Sequence, residues 1–178
     1  MTDSGTGHPV RGARDVRPMT ATDRALLTRE LGRPPRAVIE VVYRCDHGVP
    51  AVVLTAPRLE DGTPFPTLYY LCCSVLNAAV GRMESVGVMA EMTTRLAEDQ
   101  ELAAAYRSAH HSYLSARNAR GDLGIDVTAG GMPDRVKCLH VLVAHSLAVG
   151  RGVNPFGDEA VDSLAGFFRG EPPCARLD

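Results

Sequence analysis

The sequence predicts an α+β fold, a small antiparallel sheet in the N-terminal half packed on a C-terminal helical layer. Two observations carry that prediction. Short β-branched runs bounded by turn residues occupy residues 37–72, and beyond Ser74 the apolar spacing changes to the helical period. Strands followed by helices, with no βαβ alternation, give an α+β layout. A chain of 178 residues with 45% hydrophobic and 22% charged residues has the composition of one soluble domain.

Residues 1–20 mix Gly, Arg, Asp, Pro and Ser without periodicity and are expected to be a disordered tail before a globular domain over 21–170. A first helix is expected from Thr22-Asp23, with Leu26, Leu27 and Leu31 apolar and Gly32 as its stop. Arg33-Pro34-Pro35-Arg36 is a stiff extended connector. Ala37–Arg44 and Ala51–Thr55 read as a hairpin with Cys45 at its mouth, and Thr67–Cys72 as a third strand. Ser74 is placed to cap a helix through about Val86, Gly87 separates it from a segment Met89–Glu98, and Asp99 caps a longer helix to about Arg120. Pro133 or Asp134 opens a helix running to Ala148, stopped by Gly150 and Gly152, and a short helix covers about Asp158–Phe168. Residues 171–178 form a C-terminal tail carrying Cys174.

The formal net charge of −2 leaves no electrostatic footprint for nucleic acid or an anionic membrane. No apolar run is long enough to span a bilayer, and the N-terminus lacks a basic-then-apolar leader, so a cytoplasmic location is expected. In that compartment five cysteines are thiols or metal ligands rather than disulfides. The sequence has no C-x-x-C pair, no G-x-S-x-G elbow, no H-E-x-x-H and no P-loop, which removes the commonest hydrolase and nucleotide-binding readings.

On a helix over 134–148, Asp134, Cys138, Val141 and His145 share one stripe and His140 points away from it. Cys138 and His145 would then stand about 10.5 Å apart along the axis, too far to bind one ion. Cys138 is the better direct ligand. His145 is a supporting donor or a general base, against its plainer reading as a core histidine bonded to a backbone carbonyl. Cys45, Cys73 and Cys174 fall beside turns or element ends, where thiolates from separate elements can converge on zinc or an iron–sulfur cluster; the plainer alternative is unrelated buried thiols. Tyr106, His110, Tyr113 and Arg117 form a second stripe, pocket lining or the half-buried face of a surface helix. Arg58, in the proline-rich loop 57–66, is a candidate anion ligand or a surface ion-pair partner of Glu60 or Asp61.

Thr63–Leu71, Gly130–His140, Ala144-His145 and Asn154–Glu159 together resemble an actinobacterial family described as domain of unknown function 501. The resemblance spans Leu31 to Glu159 and implies a soluble cytoplasmic protein, encoded near enolase, a septum-formation initiator and an exopolyphosphatase. It also implies a site at Cys45, Cys73 and Cys138, completed loosely by Cys174. Where relatives carry Leu-Thr-Cys-Pro this chain has Leu71-Cys72-Cys73-Ser74, which leaves open which neighbouring thiol points inward.

The leading expectation is a metal centre, zinc or iron–sulfur, held by Cys45, Cys73, Cys138 and Cys174, with His140, His145 and Asp134 tuning it from behind. A second is a non-catalytic module that docks a cell-division or polyphosphate-linked protein. A third is a metal-free enzyme with Asp134, His140 or His145 as acid–base groups and Arg58 or Arg135 holding an anion. Its substrate would lie between the 134–148 helix and the 57–66 loop.

Overall fold

Arg44 sits where three elements meet, and it accounts for a strand that hydropathy gives no sign of. The computed structural model describes residues 12–167. Gly12–Pro18 forms a strand, β1, antiparallel to β2 (Val38–Cys45), with Gly12 opposite Cys45 and Pro18 opposite Glu40. This corrects the tail expected over residues 1–20; residues 1–11 lie outside the described residues, as does the C-terminal segment with Cys174. The strand buries almost nothing, so it lacks the apolar alternation that would announce it. Backbone pairing and charge hold it: the Arg44 Nε donates to Asp15 of β1 at 2.7 Å. The same guanidinium grips Asp23 with both terminal nitrogens, at 2.6 and 3.0 Å. Asp23 belongs to α1 (Ala21–Leu31), where it forms a capping box with Thr20. Gly32, left-handed at φ 67°, ends α1 as the sequence predicts.

The sheet continues through β3 (Pro50–Thr55) and β4 (Tyr69–Leu71), in the order β1-β2-β3-β4, each neighbour antiparallel. Every residue of β3 is buried, because both faces of the sheet are covered. On one face Val42, Val52, Leu54 and Leu71 meet the helices that follow. On the other, Val41, Val53 and Cys72 meet Leu27 of α1. The two thiols that follow β4 part company: Cys72 faces α1 and Cys73, the residue before α2, faces the main core.

The helical layer comprises α2 (Ser74–Ser85), α3 (Val88–Glu98), α4 (Gln100–Asn118), α5 (Leu139–Val149) and α6 (Pro155–Ser163), closed by a 3₁₀ turn at Leu164–Phe167. Ser74 is the first residue of α2 and not its cap; Glu30 of α1 accepts from its backbone N at 2.9 Å and its hydroxyl at 2.8 Å. Asp99 caps α4 as predicted, accepting from the Leu102 N–H. Asn154 caps α6, which begins at Pro155, three residues before the expected start.

The larger correction concerns α5, expected from residue 133 or 134 and beginning at Leu139. Gly130 and Gly131 adopt positive φ, and the Gly130 carbonyl accepts from the backbone N–H groups of Lys137 and Cys138 at 2.7 and 3.2 Å. The segment is thus closed on itself, and Cys138 is extended at φ −152°, ψ 108°.

Helices α5 and α6 approach so closely that Gly157 has no room for a side chain: a Cβ there would overlap Ser146 Oγ and the Leu142 carbonyl. Gly157→Ala is expected to destabilise the protein by about 1–3 kcal/mol through this overpacking, measured as a lower urea midpoint at unchanged m-value. An unaltered midpoint would mean the helix pair is looser than described.

Candidate metal centre

The extended conformation of Cys138 changes which side chains meet. With α5 starting at Leu139, the residue after it, Cys138 and His140 both project toward the last turn of α2, where Glu84 lies. One ligand atom from each of Glu84, Cys138 and His140 lies within 4.8 Å of the others. Glu84 Oε1 accepts from the Leu139 N–H at 2.6 Å, capping α5 from another helix, and lies 3.2 Å from His140 Nδ1. The second ring nitrogen, Nε2, is 3.3 Å from the Asn77 carbonyl, one of the backbone acceptors of α2. A carbonyl only accepts, so Nε2 carries a proton and the ring turns Nδ1 toward the cluster. The pairing with Cys138 and the charge of Glu84 together push His140 up to about 9, against the opposing effect of burial. The group is half-buried, with the His140 side chain 32% and the Glu84 side chain 22% exposed. The N-terminus of α5 also favours negative charge at this point.

The other sites expected from the sequence are distributed differently. Cys45 ends β2 and is partly exposed, and Cys73 is the residue before α2; among the described residues neither joins the Glu84–Cys138–His140 group. Cys174 lies outside the described residues. His145 does not flank the cluster. It is fully buried, stacked on Tyr69 at 5.8 Å and edge-on to Tyr113 at 5.2 Å. Its partner is the Asn154 side chain at 3.2 Å, not a backbone carbonyl. Asp134 and Arg135 are exposed in the turn before α5, not on its face.

Arg58 is engaged within the chain. Its three nitrogens donate to the carbonyls of Asp122, Leu123 and Gly62 at 3.2, 2.8 and 2.9 Å, which uses three of its five N–H groups. The 57–66 loop is thereby tied to residues 122–123, and its Leu59 and Phe65 line a groove with Leu27 and Leu31 of α1.

Two contributors were missed. Glu84 and Asn77 lie on α2, more than 50 residues before His140, and nothing local marks them.

The profile of the family described as protein of unknown function (DUF501) matches residues 41–162, well over half of the chain. The chain belongs to this family. All three members of the cluster fall inside the part that defines a DUF501 protein. No curated protein and no solved structure matches the chain. No helix among the described residues is long and apolar enough to cross a membrane.

Proposed function

We propose that this DUF501 protein binds one divalent transition-metal ion, zinc by its donor set, at Glu84, Cys138 and His140. The meeting of a thiol, an imidazole and a carboxylate, with the outer ring nitrogen already satisfied by a backbone carbonyl, carries the reading. A tetrahedral zinc with bonds of about 2.0–2.3 Å holds its donors about 3.3–3.8 Å apart. The present spacing, within 4.8 Å, closes onto an ion by movements on the order of 1 Å. One sulfur among three donors supports a mononuclear ion over an iron–sulfur cluster, which draws chiefly on thiolates. Binding displaces the proton on His140 Nδ1, leaves Nε2–H on Asn77, and ties the end of α2 to the start of α5. Three protein ligands leave a fourth position for water.

The test is titration of chelator-stripped protein with Zn²⁺ and Co²⁺. Saturation at one ion per chain is expected, with a Co²⁺–thiolate charge-transfer band that disappears in Cys138→Ser and a weakened titration in Glu84→Gln. Zinc at about 100 times its dissociation constant should add about 2.7 kcal/mol to unfolding stability. Absence of saturable binding, or a thiolate band that survives in Cys138→Ser, overturns the assignment.

A further inference from the structure

The second stripe of the sequence, on α4, is buried: Tyr106, His110, Tyr113 and Arg117 are 0, 8, 0 and 4% exposed. Its two tyrosines are satisfied. The Tyr113 hydroxyl accepts from the Leu68 N–H at 2.7 Å, and the Tyr106 hydroxyl donates to the Arg135 carbonyl at 3.3 Å. Arg117 is different. Its Nε donates to the neighbouring Asn118 side chain at 3.3 Å, while NH1 is buried with no partner among the described residues. A buried guanidinium without a counter-ion is among the costlier groups a fold can hold. Burial pulls its pKa below the ordinary arginine value, and only Tyr113 and Asp126 act in the other direction.

Arg117 forms one wall of a cleft of about 670 Å³ between the end of α4 and the loop 122–126. Leu114, Leu123 and Ile125 supply apolar lining, and Ile125 is 47% exposed although large and aliphatic. Asp126 stands in the same cleft, close enough for its charge to favour that of Arg117 but not as its ion-pair partner. The loop is not free to close the gap, because Arg58 holds the carbonyls of Asp122 and Leu123, and Gly124 N–H donates to the Asp122 side chain at 2.8 Å.

An unsatisfied cation, a separate carboxylate and an aliphatic surface describe a complementary ligand. We propose that this cleft binds a small apolar α-amino acid, with its carboxylate on Arg117, its ammonium beside Asp126 and its side chain on Leu114 and Ile125. Meeting the carboxylate requires the Arg117 side chain to turn so that NH1, buried in this structure, enters the cleft, at the cost of the bond to Asn118. A phosphate dianion fits less well, because Asp122 and Asp126 both line the cleft and repel a second negative charge.

Calorimetric titration of the full chain with L-leucine tests this, alongside 4-methylpentanoate, which lacks the ammonium, isoamylamine, which lacks the carboxylate, and inorganic phosphate. Saturable leucine binding is expected, weakened about tenfold or more by loss of either charged group. Arg117→Gln should abolish it. Asp126→Asn should weaken leucine without changing 4-methylpentanoate, and this variant, at an exposed position, serves if Arg117→Gln does not fold. Leucine that binds no better than isoamylamine, or less tightly than phosphate, overturns the proposal. So does an Asp126→Asn protein that unfolds more readily while the parent binds no amino acid, since Asp126 would then be the internal counter-ion of Arg117.

Discussion

Arg44→Ala is expected to destabilise the protein by about 3–5 kcal/mol, near the lower end because the Arg44 side chain is 19% exposed. The cost arises from what remains: Asp23, 3% exposed, keeps its charge and loses the guanidinium that grips it in two places. Urea unfolding at neutral pH measures it, and a loss under about 1 kcal/mol would place the pair with ordinary surface salt bridges. The pH dependence supplies a second reading. Arg44 foremost, then Thr20, hold Asp23 at about 2, below its usual 3.8. The stabilisation is therefore present above about 3.8 and lost as the pH falls through 2. In Arg44→Ala most of that acid loss should vanish.

His145 produces an acid sensitivity at higher pH. Asn154 Oδ1 accepts from the Gly157 N–H at 3.0 Å, so its amide nitrogen faces His145 Nδ1 and donates to it. The imidazole proton is thus on Nε2, which is buried without a partner among the described residues. Burial between Tyr69 and Tyr113 lowers His145 from 6.5 to about 4, with only the charge of Asp158 acting the other way. Between those two values the unfolded chain takes up a proton that the folded chain refuses. Stability should fall by roughly 3 kcal/mol as the pH drops from 6.5 to about 4, then level off for this group. Unfolding free energies across that range check the effect, with His145→Phe as the control whose profile should flatten. An equal slope in the control would assign the sensitivity elsewhere.

Elements that begin or end on their own residues were legible. Asp99 before α4 and Gly32 after α1 act within one turn, and the sequence places both. Elements whose ends are set from elsewhere were not. Glu30 finishes the start of α2 from 44 residues away, and Glu84 the start of α5 from 55. The candidate site failed in the same way. Cys138 and His140 were both picked out, but a helix assumed from residue 134 turned them apart, and the carboxylate between them had no local signature. β1 was invisible because charge and backbone pairing hold it, and neither has a period.

The trans cap on α5 bears on how the chain acquires its structure. Eight of the eleven residues of α5 are buried, so the helix has no wet face to support it alone. Its first N–H groups wait for a carboxylate that arrives only when α2 is in place. Before that docking the segment is an apolar stretch with an unanswered end, the kind of surface that captures other unfinished chains. Docking α5 on α2 closes a loop of 55 residues between Glu84 and Leu139, a contact of the long-range kind that slows folding.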